Sequence, residues 1–185
     1  MSVLQSVGYR HSPSAINGFV DAPQKELAYR LFGIKSPQND NMVRGLCVEA
    51  AVRYILHRSP NESDLRSYVD IKAPSRMPNY GIPNTNWIRQ QSFYWGLSGK
   101  NRRFALLYGT NKKCEYYEIP QKELAEGWEI MQSNMAWLER IDNICKSKHD
   151  WLSMFPFPDT NSFYYSDENF KQKITKLLKG ANENG

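Results

Sequence analysis

The chain lacks a long apolar run, a signal-peptide pattern and any close pair of cysteines. A membrane-spanning helix needs roughly 18 or more mainly apolar residues, so the first absence argues against such a helix. The three cysteines, Cys47, Cys114 and Cys145, are too scattered for a zinc ribbon or a disulfide framework. We therefore expect a cytoplasmic protein without membrane contacts, whose thiols are buried and inert.

The composition lacks the features of a disordered chain. Hydrophobic residues make up 41% of the sequence and charged residues 23%, which is enough apolar material for a packed core. A length of 185 residues suits one domain. The formal net charge of +5 permits a polyanionic partner.

Hydrophobic periodicity and punctuating residues predict alternating helices and strands, and hence an α/β fold. The apolar run within 102–109 predicts a strand buried on both faces. Predicted helices cover about 12–22, 23–33, 41–57, 84–97, 121–147 and 167–180, and predicted strands cover 68–72, 102–109 and 114–119.

The strand predicted at 68–72 carries Asp70 and Lys72. Because side chains alternate along a strand, these two project from the same face. One interpretation is a surface ion pair. The other is a chemical site, in which the carboxylate holds a hard cation and the ammonium acts on something bound beside it.

Two further carboxylates precede this strand. Glu49 lies close to the apolar stripe of its predicted helix, so it either pairs with Arg53 at i+4 or points into a site. The direction in which Asp64 points depends on the register of a predicted hairpin. A three-residue loop at 66–68 places Asp64 on the same face as Asp70, whereas a two-residue loop points it away.

Polar and basic residues follow the strand. Residues 74–83 form a predicted irregular loop that contains Arg76, and long loops are often functional. In the next helix, Gln90 and Tyr94 are four residues apart and share a face, with Arg89 near the start of that helix. The simplest alternative is an amphipathic helix in which Tyr94 packs and Gln90 is solvated.

Taken in order, these motifs resemble the RecB-like nucleases of the PD-(D/E)xK superfamily, including lambda-type exonucleases. The resemblance covers about 12–119 and depends mainly on the order of the motifs. The motifs are Ser12-Pro13-Ser14 before a helix, Gly45-x-x-x-Glu49, Val69-Asp70-Ile71-Lys72, Gln90-x-x-x-Tyr94 and a closing strand hairpin.

The resemblance implies a restriction-endonuclease-like core with a small, shortened mixed sheet flanked by helices. A single nuclease-like domain would occupy 1–185, with a helical C-terminal extension at about 121–180. The implied activity is hydrolysis of phosphodiester bonds in DNA, as by an exonuclease in recombination, repair or phage DNA processing. The cell would be a bacterium or a phage-infected host, and a homo-oligomer or a recombination partner protein is compatible with this activity.

The resemblance also assigns roles to individual residues. A Mg²⁺ or Mn²⁺ ion would bind Asp70, Glu49, Asp64 and the backbone carbonyl of Ile71. Lys72 would lie beside the attacking water or the scissile phosphate. Gln90 and Tyr94 would hold the DNA backbone or brace the catalytic strand. Apart from the resemblance, the basic residues expected to bind DNA are Arg76, Arg89, Arg102, Arg103, Lys112 and Lys113.

Two departures from the family pattern have consequences. Few residues separate Glu49 from Asp70, so the usual upstream acidic strand is abbreviated and Asp64 is its only substitute. A nuclease-derived DNA-binding or interaction module without catalysis is therefore the alternative function. Ala22 stands where iron–sulfur members have cysteine, and no C-terminal cysteine cluster follows, so no iron–sulfur cluster is expected.

Overall fold

The computed structural model describes residues 2–37, 43, 45–47, 50, 67–74, 77–78, 83–110, 112–155 and 165–183. The chain divides into two compact units: unit 1 comprises Met1–Pro37 with Gln132–Gly185, and unit 2 comprises Gln38–Met131. The single domain expected from the sequence, with its motif core at 12–119 and extension at 121–180, stays a prediction.

The described elements alternate between helices and strands. The helices are α1 (Val3–Ser6), α2 (Pro13–Asp21), α3 (Pro23–Phe32), α4 (Thr85–Leu97), α5 (Gln121–Ile144), α6 (Lys148–Met154) and α7 (Glu168–Glu183); the strands are β1 (Ser67–Lys72), β2 (Arg103–Gly109) and β3 (Cys114–Glu118). Within the described residues, no helix is both long enough and apolar enough to cross a membrane.

Local signals set the ends of the helices in unit 1. The Ser12 hydroxyl accepts a hydrogen bond from the Ala15 amide at 3.3 Å and caps α2, and Pro23 occupies the first turn of α3. Gly33 ends α3 at a φ of 69°, a left-handed conformation that glycine adopts without steric cost. These boundaries agree with the sequence prediction.

Aromatic side chains form much of the core of unit 1. Trp151 is fully buried, and its ring lies 5.8 Å from that of Phe19 and 6.5 Å from that of Phe155, measured between centroids. A second buried cluster joins α3, α6 and α7 through the residues Ala28, Leu152, Tyr165, Phe170, Ile174 and Leu178. The apolar face of the amphipathic helix α7 is thereby covered.

Unit 2 contains a three-stranded mixed sheet in the order β1-β2-β3. β2 pairs in parallel with β1 and antiparallel with β3. Phe104, Leu106 and Tyr108 are buried on one face of β2 and Ala105 on the other, whereas Leu107 is partly exposed. The predicted burial of both faces is therefore confirmed for the first half of the strand. The described architecture is therefore α/β, with a small mixed sheet flanked by helices.

α4 and α5 approach each other closely where they pack against the buried side chains of β2. A methyl group on Gly96 would meet the indole of Trp128, and one on Gly127 would meet the Ser92 side chain. The two glycines therefore allow the helices to approach closely. Trp95, Leu124 and the β2 side chains complete the buried cluster of unit 2.

Several predictions differ from the structure. Ser67 and Tyr68 belong to β1, so the three-residue loop predicted at 66–68 is wrong. The direction of Asp64, which the hairpin register was to decide, lies outside the described residues. The long helix ends at Ile144 rather than near Ser147, because Ser147 caps the separate helix α6. Cys114 is exposed on β3 and Cys47 is also exposed, so only Cys145 fits the expectation of buried thiols.

Of the helix predicted over 41–57, positions 43, 45–47 and 50 are described, and all are helical.

Candidate functional site

β1 brings Asp70 and Lys72 together, as the alternation of side chains along a strand predicts. Lys72 Nζ lies 2.9 Å from Asp70 Oδ2, and their side chains are 20% and 24% exposed. The pair is thus half-buried rather than freely solvated. Ile71 lies between them on β1 and is paired in register with Leu107 of β2.

Two consecutive glutamines of α4 extend this pair into a network. Lys72 Nζ donates a hydrogen bond of 2.8 Å to Gln90 Oε1, and Gln91 Nε2 donates one of 2.7 Å to Asp70 Oδ2. Gln91 is only 3% exposed, so its bond to a carboxylate satisfies an amide that burial would otherwise leave without a partner. The four side chains form one polar cluster, here called the Asp70 network.

The register of the sheet sets the Asp70 network at the margin of the apolar core. Asp70 and Lys72 are partners of Leu106 and Tyr108 on the parallel strand β2, and both of these are buried. On the α4 side, Asn84 caps the helix, and its side chain accepts a hydrogen bond of 2.8 Å from the Asn86 amide. The network therefore lies between a strand paired with β2 and a capped helix.

The donors on Asp70 are unevenly distributed. Lys72 Nζ and Gln91 Nε2 both reach Oδ2, and within the described part of the chain no donor reaches Oδ1. A carboxylate with one oxygen held and the other open keeps a fixed orientation while it can accept a further ligand. A hard cation that retains several of its waters needs only one or two such carboxylates.

A second polar pair lies beyond Lys72 on the same sheet. The Tyr108 hydroxyl donates to Glu115 Oε2 at 3.2 Å, and burial, together with this bond, raises the pKa of Tyr108. Lys113 pairs with Glu115 and is the main cause of the lowered pKa of that carboxyl group. Glu115 is therefore ionised and already paired.

Two predicted residues lie outside the Asp70 network. Tyr94 is 45% exposed on α4, with its ring edge-on to Phe93 at a centroid distance of 5.8 Å. Arg89 donates through Nη1 to Asn86 Oδ1 at 3.4 Å rather than to the Asp70 carboxylate. Arg89 Nε is buried and has no hydrogen-bond partner among the described residues. Within the described ranges, neither residue forms a hydrogen bond or ion pair with Asp70 or Lys72.

Three predicted site residues, Glu49, Asp64 and Arg76, lie outside the described residues. The described ranges contain no group of three or more His, Cys, Asp or Glu side chains that could hold a metal ion. Of the predicted metal ligands, these ranges contain Asp70 and Ile71. One open carboxylate oxygen and a neighbouring backbone carbonyl suit part of the oxygen coordination of Mg²⁺ or Mn²⁺.

Gln91 is the member of the Asp70 network that the sequence analysis did not single out. The motif spacing pointed to Gln90 and Tyr94, which share one face of α4. Gln91 lies about 100° further around the helix. The available signal was a glutamine directly before Ser92 and Phe93, in the part of the helix that is buried.

Comparisons of this chain with protein-family models, with curated proteins and with solved structures found no match.

Proposed function

We propose that this protein is a metal-dependent nuclease that hydrolyses phosphodiester bonds in DNA, with the Asp70 network as its catalytic centre. The single observation that carries the proposal is the contact of Asp70 and Lys72 on β1 with Gln90 and Gln91 on the following helix. The proposed fold is a shortened restriction-endonuclease-like core, consistent with a parallel β1–β2 pair joined through α4.

In this function, Asp70 Oδ1 and the Ile71 carbonyl would hold Mg²⁺ or Mn²⁺, with Glu49 and Asp64 as the further predicted ligands. When bound, the metal would lower the pKa of a water and offset negative charge on the phosphate. Gln91 fixes the orientation of the Asp70 carboxylate through its bond to Oδ2. The ligand oxygen is thereby positioned before any substrate arrives.

Lys72 supplies the positive charge of the site. Its ammonium group has three donors, of which one reaches Asp70 and one reaches Gln90. The remaining donor can point towards a phosphate oxygen, where charge develops during hydrolysis. Gln90 acts as a positioning residue, because its carbonyl oxygen holds the flexible lysine chain in place.

One observation favours a second candidate, a nuclease-derived module that binds nucleic acid without cleaving it. Asp70 Oδ2 already receives two donors, so the carboxylate is largely neutralised by protein groups. An aspartate held in this way also serves as a purely structural ion pair. This candidate predicts salt-sensitive DNA binding without turnover.

The decisive experiment measures cleavage of end-labelled DNA with Mg²⁺, with Mn²⁺ and with EDTA. Asp70→Asn keeps the size of the side chain but removes its charge, and we expect it to abolish metal-dependent cleavage. Glu129→Gln removes a carboxylate from the exposed side of α5 and is the matched control. Cleavage that survives Asp70→Asn would contradict the proposed centre. Binding without cleavage in the wild type would favour the second candidate.

A further inference from the structure

An exposed aromatic side chain lies two residues before Asp70 on the same face of β1. Tyr68 is 47% exposed, and its ring is stacked on the buried Phe104 at a centroid distance of 5.0 Å and an interplanar angle of 19°. Arg102 Nη1 donates to the Tyr68 hydroxyl at 2.7 Å, with the guanidinium carbon 5.2 Å from the ring centroid. Phe104 and Arg102 thus hold Tyr68 in one orientation at the surface.

A basic groove adjoins this pair. Lys100, Arg102 and Arg103 line a groove of about 530 Å³. Glu118 also lines it and lies 3.9 Å from Arg103, so three cationic groups face one carboxylate. Such an excess of positive charge attracts a polyanion.

The backbone of Lys100 adds a second, independent observation. Its φ of 63° is in the left-handed region, which side chains other than Gly, Asn and Asp rarely adopt. It directly follows Gly99, whose φ is 83°, and a glycine or asparagine at position 100 would adopt the left-handed conformation with less strain. Strained residues of this kind cluster at functional sites. A cation therefore lines the groove at position 100 although the lysine backbone there is strained.

We propose that Tyr68, Lys100, Arg102 and Arg103 form a binding surface for single-stranded nucleic acid, here called the Tyr68 surface. The cations contact backbone phosphates, and the Arg102 guanidinium over the exposed Tyr68 ring offers a stacking position for an unpaired base. A duplex keeps its bases stacked internally and cannot use that position. Tyr68 and Asp70 are about 7 Å apart along β1, so a strand held here reaches the Asp70 network.

Because a nucleic acid is taken as the ligand, the Tyr68 surface rests on the proposed function. Its test is nevertheless separate, since binding is measured in EDTA, where metal-dependent turnover cannot occur. The assay is fluorescence anisotropy of labelled oligo-dT about 12 nucleotides long, with oligo-rU, a DNA duplex and a poly-glutamate peptide as further probes. Wild type, Arg102→Gln, Tyr68→Phe and Tyr68→Ala are compared.

We expect Arg102→Gln and Tyr68→Ala to weaken oligo-dT binding by about fivefold or more, and Tyr68→Phe to have a smaller effect. Arg102→Gln should also reduce the slope of log affinity against log salt by about 0.7. Arg140→Gln removes an exposed arginine from α5 and is the matched control. Because Tyr68→Ala also removes packing against Phe104, the exposed Arg102 remains the decisive position if that variant fails to fold.

Each outcome has a defined meaning for the Tyr68 surface. Equal affinity of Arg102→Gln and Arg140→Gln for oligo-dT overturns it, as does equal binding of poly-glutamate and oligo-dT. Duplex binding that weakens as much as single-strand binding in Tyr68→Ala also overturns it. Loss of single-strand binding in Arg102→Gln supports it, whether or not Asp70→Asn affects cleavage. The proposed function and the Tyr68 surface can therefore fail independently.

Discussion

Gln91 donates a 2.7 Å hydrogen bond to the carboxylate of Asp70 from a position that is almost fully buried. Hydrogen bonds to charged groups contribute about 1.5–3 kcal/mol to stability. Gln91→Leu should therefore destabilise the protein by about 1–3 kcal/mol, because Asp70 loses a donor and the leucine gains none. Urea unfolding measures the change, and Gln132→Leu, at an exposed position, is the control. Equal unfolding midpoints for the two variants would contradict a stabilising bond from Gln91 to Asp70.

Substitutions of Lys72 distinguish whether the proposed cleavage needs only a positive charge at this position or the geometry of an ammonium group. Lys72→Met keeps the alkyl stem but removes the donors to Asp70 and Gln90. We expect cleavage to fall by about 10²–10³-fold, as is typical when a transition-state donor is lost. Lys72→Arg should not restore it, because a planar guanidinium cannot occupy the position of a compact ammonium.

The measurement for Lys72 is single-turnover cleavage at saturating Mg²⁺. Lys173→Met, on the exposed face of α7, is the matched control. Full activity of Lys72→Met would show that Lys72 serves only as a structural partner of Asp70.

The sequence predicted the strand half of the site better than the helix half. Alternation along a strand is a local property, so the contact between Asp70 and Lys72 followed from their spacing alone. The start of α4 was equally local: a helix was predicted from about residue 84, and Asn84 caps the observed helix.

The contact of Gln91 could not be predicted in this way. The face of α4 that meets β1 is set by tertiary packing, including the approach of α5 at Gly96 and Gly127. The separate helix α6 was missed for a related reason. Its start is marked by a local signal, the capping box of Ser147 and Asp150, but its short apolar face becomes visible only through the burial of Trp151 and Leu152.

Substitution by alanine should destabilise the protein at a glycine between α4 and α5 but stabilise it at a helical glycine with space around it. Gly96→Ala drives a methyl group into the Trp128 indole, and we expect a loss of about 1–3 kcal/mol. Gly180 in α7 has no atom within 4 Å of such a methyl group, so Gly180→Ala should gain about 0.5–1 kcal/mol from helix propensity. Thermal unfolding of both variants measures the contrast, and changes of the same sign would contradict it.

Tyr117 should make stability depend on alkaline pH. Burial, together with a 2.8 Å hydrogen bond to Glu123, raises the pKa of Tyr117 to about 12. Because this folded-state pKa exceeds the unfolded value of about 10, the stabilisation is fully present below pH 10 and is lost as the pH rises towards 12.

Tyr117→Phe isolates this effect. The variant should be less stable than the wild type by about 1 kcal/mol at neutral pH, since it lacks the hydrogen bond. The difference should shrink as the pH rises through about 10–12. Tyr116→Phe, which changes an exposed residue of the same strand, is the control. A difference that stays constant across this range in urea unfolding would rule out Tyr117 as the titrating group.

Lys100 should show a trade-off between stability and binding. Lys100→Gly relieves the left-handed backbone and should stabilise the fold by about 1 kcal/mol. The same change removes a cation from the Tyr68 surface and should weaken oligo-dT binding. Lys100→Asn tolerates the conformation and also removes the charge, so it should behave similarly. Unchanged binding in both variants would mean that the lysine is retained for another reason.

The order of contacts between α4 and β1 has a mechanical consequence. The earlier glutamine, Gln90, contacts the later strand residue Lys72, and the later glutamine, Gln91, contacts the earlier strand residue Asp70. The two amides leave the helix axis about 100° apart, so a modest rotation of α4 would release one partner before the other. The two contacts together therefore fix the rotation of α4 about its own axis. Insertion of one residue into α4 before Gln90 would rotate both glutamines by about 100° and break both contacts.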